Sequence, residues 1–161
     1  MAPQLKAFKR ENGKWGLRNH VLILPLHSAL SSSARSIADA SNGAVGISHD
    51  WSGEVDSDLA RIVFTLSGFA SNPNNYAVVF LAIGNEQENE IISTAQALGL
   101  TRFTTISLSQ VGSMEKLAAQ ALAAANAYCA EAASMQRIDA PLSAIVLGLE
   151  CGGSDALSGD R

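Results

Sequence analysis

The stretch YAVVFLAIGNEQE, Tyr76 to Glu88, decides the architecture. From Tyr76 to Ile83 it is apolar without a polar break, and its centre is Val78-Val79-Phe80. A strand with one wet face alternates polar and apolar side chains, so an unbroken run marks a strand covered on both faces. The polar turn Gly84-Asn85-Glu86 ends it, and Ile91, Ala95 and Leu98 then keep one face of a helix. Strand, polar turn and helix in that order form the repeating unit of a parallel α/β domain.

The unit recurs along the 161 residues. Apolar runs stand at His20 to Leu26, Ala44 to Ser48, Phe103 to Leu108 and Leu142 to Leu149. Between them Leu59, Ile62, Val63, Leu66 and Phe69 predict a helix that Asp56 caps. A longer helix starts near Ser113, with the stripe Met114, Leu117, Ala118, Ala121, Ala125, Tyr128, Cys129 and Ala132. Its many alanines permit close approach to a sheet, and Cys129 reads as ordinary core. Right-handed crossovers between such strands predict a Rossmann-like three-layer sandwich: about five mainly parallel strands with helices on both faces. At the front, FKRENGKWGLR places Asn12-Gly13 between two short runs, which predicts a tight hairpin with Glu11 facing Lys14. The expected organisation is a single domain over 1–161, with a hairpin at 1–18 and the core at 19–161.

A net charge of -4 gives no electrostatic reason to expect nucleic acid. Lys6, Lys9, Arg10, Lys14 and Arg18 gather near the N-terminus and read as a solvated hairpin surface. Two cysteines make no disulfide framework, and no secretory or membrane-spanning apolar segment is present, which predicts a reduced, cytoplasmic setting away from membranes. No turn carries G-x-G-x-x-G or G-x-x-x-x-G-K-[ST], so no nucleotide cofactor is expected, and no G-x-S-x-G elbow offers a serine nucleophile.

Parallel strands deliver all their outgoing loops to one edge, where ligands bind. There the sequence puts His27 and Ser28, then His49, Asp50 and Glu54, then Gly84, Asn85 and Glu86, then Ser109 and Gln110, then Glu150 to Asp155. Capping explains residues such as Asp56, Glu88 and Ser109, but not two histidines and a cysteine. In the last group, LGLECGGSD, Gly152 and Gly153 let backbone N–H groups approach an anion while Ser154 and Asp155 cap a following helix. Glu150 and Cys151 flank that nest with a proton acceptor and a soft ligand or nucleophile.

ENGKWGLRNHVLILP together with GLECGGSDALSG resembles the altronate dehydratase and galactarate dehydratase family, which includes the large subunit of sulfolactate sulfo-lyase. The resemblance covers the front part of that family's main catalytic region. It implies a longer enzyme, because members continue past C-G-G-S-D, and a small N-terminal-type domain or subunit as partner. It also implies elimination of water, or of sulfite, from a small anionic hydroxy acid, with a divalent metal such as Fe(II) or Mn(II); a homo-oligomer is expected separately, because a partial α/β domain leaves apolar surface where its other half docks. Carried onto this chain, His49 matches a histidine after the second strand, and with Glu150 and Glu86 from the same loop edge it makes up the candidate catalytic residues. Arg18, Asn19, Gly152, Gly153, Ser154 and Asp155 are the candidate substrate contacts, and Cys151 and His49 the candidate metal ligands. Gly13 and Gly16 match the same front motif.

Three departures bear on the metal. Where many members have cysteines, after the first strand, near the histidine of the second and after the third, this chain reads LHSAL, HDWSGE and IGNEQE. Metal binding through His49, Glu86 and Cys151, or none, follows from that. The fragment alone is expected to be inactive. The competing expectation is a module that binds an acidic metabolite, or serves assembly, without catalysis.

Overall fold

The computed structural model describes residues 5–53 and 56–148 of the chain. The apolar runs form β3 (His20–Pro25), β4 (Val45–Gly46), β5 (Asn75–Ala82) and β6 (Phe103–Ser107), which join as a parallel sheet in the order β4-β3-β5-β6. Register runs Val21↔Ala77 to Pro25↔Leu81 between β3 and β5, and Val78↔Phe103 to Ala82↔Ser107 between β5 and β6. Val78 to Leu81 are fully buried, as an unbroken apolar run requires.

Helices cover both faces: α1 (Ser31–Ala40), α2 (Asp56–Ala70), α3 (Glu86–Ala97) and α5 (Met114–Ser134), with a short α4 (Leu108–Val111). Alternate strand residues sort between two cores. Ile23, Val79, Leu81 and Ile106 pack with Ile37 of α1 and with Leu117, Ala121, Ala125 and Cys129 of α5. Leu22, Leu24, Val78 and Phe80 pack with Val63 and Leu66 of α2 and with Ile91 and Ala95 of α3. The three layers agree with the sequence pattern. Ser113 caps α5 as expected, its side chain accepting from the Lys116 N–H at 3.2 Å. On α2 the buried stripe ends at Ala70, and Phe69 is half exposed, because four residues beyond Leu66 return to the core face and three do not quite.

The chain departs from expectation at its ends. β1 (Leu5–Lys9) and β2 (Trp15–Gly16) form the hairpin, but Glu11, Asn12 and Gly13 make a three-residue loop in which only Gly13 has positive φ, +80°. Gly13 N–H donates to the Arg10 carbonyl and Arg10 N–H to the Lys14 carbonyl, the type I turn with a left-handed glycine that suits such a loop. Glu11 and Lys14 do not pair. Glu11 binds Arg102 at 2.7 Å, and Lys14 Nζ donates to the Leu98 carbonyl at the end of α3. A third strand, β7 (Ile138–Ala140), pairs antiparallel with β1, so the hairpin is part of a sheet ordered β2-β1-β7.

The fifth parallel strand expected over Leu142 to Leu149 is absent among the described residues. Leu142–Ala144 is a 3-10 turn, and the residues from Ile145 to Gly148 join no ladder. A buried strand needs a covering layer on each face. Among the described residues Val146, 95% exposed, and Leu147, 75% exposed, have neither, and β6 is the edge of the described sheet. Leu149 lies outside the described residues.

Two of the basic residues near the N-terminus, Arg10 and Lys14, tie the hairpin to the chain beyond α2 and α3. Arg10 donates from Nε to the Pro73 carbonyl (2.7 Å), from one terminal nitrogen to Asn19 Oδ1 (2.7 Å) and from the other to the Arg18 carbonyl (2.8 Å). Asn12 donates to the Gly99 carbonyl just beyond α3. Cations and amide donors there satisfy carbonyls that helix ends leave unpaired.

Candidate functional site

At the carboxyl ends of β5 and β6 lies an open crevice of about 300 Å³, walled by Gly84, Asn85, Glu86, Asn89, Ser109 and Gln110 among others. A smaller concavity of about 90 Å³ sits at the opposite end of the sheet, beside Arg10, Asn12 and Arg102. In that smaller space Arg10 is already spent on three protein acceptors and Arg102 pairs with Glu11, so the larger crevice at the carboxyl edge is the candidate site.

The turn after β5 builds the crevice floor. Glu88, 2% exposed, accepts hydrogen bonds from the backbone N–H groups of Ile83 (2.7 Å), Gly84 (2.7 Å) and Asn85 (2.9 Å). The Asn85 Oδ1 in turn accepts from the Glu88 N–H at 3.0 Å, completing a capping box. Elsewhere such turn amides receive a phosphate or carboxylate from a ligand. Here a carboxylate of the chain itself fills that role. Gly84 has φ +106°, and a Cβ on it would overlap the Ser109 side chain, so only glycine lets this turn lie against the start of α4. Ser109 and Ser107 share a hydroxyl hydrogen bond at 2.8 Å. Among the described residues the lining holds the carboxylates of Glu86 and Glu88 and no Lys, Arg or His. Glu86 is exposed on the first turn of α3.

The strand order reverses between β3 and β5, where a doubly wound sheet opens its ligand crevice. That position is covered by the 49–53 loop, which two histidines hold in matching ways. His49 Nδ1 accepts from the Trp51 N–H at 3.3 Å while Nε2 donates to the Pro25 carbonyl at 2.8 Å. His27 Nδ1 accepts from the Ala29 N–H at 3.1 Å while Nε2 donates to the Ser52 carbonyl at 2.7 Å. In each ring the accepted bond assigns the proton to Nε2, leaving neither nitrogen free in this arrangement. The Trp51 indole N–H, buried below this loop, has no hydrogen-bond partner among the described residues.

Glu86 and His49 thus share the carboxyl edge of the sheet. Arg18 and Asn19 do not join them. They precede β3, whose six residues at about 3.3 Å each put them roughly 20 Å from that edge. There Asn19 receives Arg10 and donates to the Ala132 carbonyl at 2.8 Å, while Arg18 is exposed and uses its backbone N–H on Asn74. Glu150, Cys151, Gly152, Gly153, Ser154 and Asp155 lie outside the described residues. Among the described residues no three His, Cys, Asp or Glu side chains converge as a metal set, so this part of the chain does not by itself fit a divalent ion. Cys129 is core, and burial pushes its thiol above the ordinary value. The structural role of the two histidines had no signal in the sequence, because their partners are backbone groups of other loops.

A scan against family models matches residues 7–133 to the second domain of D-galactarate dehydratase/altronate hydrolase. The chain belongs to this family. The match takes in the whole parallel sheet and nearly all of both helical layers, including the described residues that line the crevice. Among curated relatives, the (2R)-sulfolactate sulfo-lyase subunit beta of Chromohalobacter salexigens is 28% identical over 94% of this chain and 39% of its own length. The altronate dehydratase of Bacillus subtilis is 28% identical over 96% of this chain and 33% of its own, and that of Escherichia coli 25% over 97% and 34%. The chain therefore spans a third or a little more of the relatives it matches. The relatives are lyases by name, and this is a domain of a lyase family. No solved structure gives a significant match. No helix among the described residues is long and apolar enough to cross a membrane.

Proposed function

We propose that this chain is one domain of a cytoplasmic lyase that eliminates water from a hydroxylated acid such as altronate or galactarate, or sulfite from sulfolactate. The observation that supports it most is the family match across residues 7–133. The crevice on the edge where parallel α/β sheets bind ligands agrees with it. Elimination next to a carboxylate needs a base for the carbon acid, a proton donor for the leaving oxygen, and groups that hold the acid. Glu86 is the exposed carboxylate at the crevice and serves as one proton-handling group; Glu150 is the other in this reading. The backbone around Gly152 and Gly153, with Ser154 and Asp155, holds the acid group. His49 contributes as a positioning residue, since both its nitrogens brace the 49–53 loop. Arg18 and Asn19, at the far end of the sheet, lie outside this pocket.

A divalent metal, Fe(II) or Mn(II), enters the proposal only with donors such as Cys151 or groups from the rest of the assembly, and would supply Lewis acidity toward the leaving oxygen. Activity belongs to the assembled enzyme: this domain, the remaining catalytic chain, and a small N-terminal-type domain or subunit, in a homo-oligomer. The test is turnover of altronate, galactarate and sulfolactate by that assembly with Fe(II) or Mn(II). Absence of elimination with all three would end the lyase reading. Engagement of both nitrogens of both histidines favours one alternative, a module that binds an acidic metabolite without reaction, which tight metal-free binding by this chain with no turnover in the assembly would support.

A further inference from the structure

Two Asn-Gly steps stand in exposed turns, Asn12-Gly13 in the hairpin and Asn42-Gly43 between α1 and β4. This dipeptide is chemically labile. The glycine nitrogen, unshielded by a Cβ, attacks Cγ of the asparagine side chain. An N–Cγ bond forms, the Cγ–Nδ2 bond breaks, and Nδ2 leaves as ammonia with the proton of that N–H. Solvent water then opens the cyclic imide, cleaving N–Cγ to leave aspartate or the original C–N bond to leave isoaspartate. Backbone shape does not separate the two steps here. Gly13 (φ +80°) and Gly43 (φ +110°) both lie in the left-handed region, and a Cβ on either would meet nothing within 4 Å. Their hydrogen bonds do separate them. Asn12 Nδ2 donates to the Gly99 carbonyl at 2.7 Å, Asn12 Oδ1 accepts from the Lys14 N–H at 3.0 Å, and the Gly13 N–H donates to the Arg10 carbonyl at 3.0 Å. The leaving nitrogen, the carbonyl that must turn and the attacking N–H are thus all held. At Asn42 the backbone N–H donates to Asn126 Oδ1 at 2.9 Å. Among the described residues its side-chain amide and the Gly43 N–H hold no hydrogen bond.

We infer that Asn42 is a site of spontaneous covalent modification in the folded chain, and that the docked hairpin protects the same dipeptide at Asn12. Conversion at Asn42 adds a carboxylate where the chain turns from α1 into β4. Isoaspartate also routes the main chain through Cγ and makes it one bond longer. That extra length falls just ahead of an edge strand paired to β3 at only two positions, Val45 and Gly46. At Asn12 the same reaction would first have to break the tether to Gly99, so modification there marks a hairpin that has come away from the end of α3.

The experiment is peptide mapping by mass spectrometry of the chain incubated at mildly alkaline pH, both native and in urea. The mass gain of amide-to-acid conversion is read separately at the two steps, with fragmentation that tells isoaspartate from aspartate. In the folded chain Asn42 is expected to convert about tenfold or more faster than Asn12, which reacts only after a local opening that breaks three hydrogen bonds. In urea the two rates are expected to converge, because the tethers are gone and the dipeptides are the same. Arg10→Ala, which loosens the hairpin, is expected to speed Asn12 and leave Asn42 unchanged. An Asn42 that stays intact in the folded chain, equal folded-state rates, or a rate gap that persists in urea would each overturn the inference. So would an Asn12 that Arg10→Ala fails to speed. The comparison of native chain with urea uses no substitution, so it decides the matter even where the variant does not fold.

Discussion

Replacing Glu88 by alanine removes the acceptor that organises the crevice floor. Its carboxylate is buried and takes three backbone N–H bonds of 2.7 to 2.9 Å, each a charge-assisted bond worth about 1.5–3 kcal/mol. The three share one group and do not add in full, but their loss leaves three amides needing water, so the expected cost is about 3–5 kcal/mol. A domain of this size holds on the order of 5–15 kcal/mol in all and loses about 2–4 °C of Tm per kcal/mol, so the midpoint should fall by roughly 10 °C. Urea unfolding of the chain measures the free energy, and scanning calorimetry the midpoint. The exposed neighbour Glu86→Ala is the control, with an expected change within about 0.5 kcal/mol. A loss below about 1 kcal/mol for Glu88→Ala, or equal losses for the two variants, would refute the assignment of Glu88 as the anion of this turn.

Other perturbations reach different parts of the fold. Gly84→Ala forces a side chain into positive φ and onto Ser109, and should destabilise by about 2 kcal/mol or more, with Ser109→Gly recovering part of it; simple additivity of the two in denaturant unfolding would count against the close approach. Arg10→Ala strands the Pro73 and Arg18 carbonyls and Asn19, costing about 2–3 kcal/mol, and Arg10→Lys should not restore it because one ammonium cannot span the three acceptors; a full rescue by lysine would contradict that geometry. Burial raises the Cys129 thiol above its ordinary value, so in a Cys151→Ser background an alkylating reagent should label the native chain slowly and the unfolded chain fast. The native state then holds that proton more tightly than the unfolded state. Stability should therefore be full below about pH 9 and fall as the pH rises through the folded-state value, with a shallower fall in Cys129→Ala. Tyr76, raised by burial and then by its bond to Glu131, acts in the same direction. Equal slopes with and without Cys129 would show that its burial does not carry this linkage.

Most of the scaffold could be read from the chain, because its physics is local. Tyr76 to Ile83 has no polar face to present to water, so it had to become an inner strand. Ser113 before a stripe at helical spacing predicts the start of the longest helix, and Asn85 with Glu88 three residues on is a capping pair visible in the sequence. Ile138–Ala140 was not legible, since three residues carry no period and its partner β1 lies about 130 residues earlier. The run from Leu142 had the right composition for a strand but no covering layer among the described residues, and composition alone does not say whether a layer is present.

The candidate site divides along the same line. The alternation of apolar runs and polar turns put Glu86 and His49 on one edge, because every parallel strand points the same way. The tertiary structure alone decided that Arg18 and Asn19 stand at the other edge as hairpin braces, that both histidines are tied to carbonyls and amides of distant loops, and that the anion-ready turn is already filled by Glu88. Which groups remain free for a ligand depends on hydrogen bonds between residues far apart in the chain, and no local pattern of residue types records those pairings.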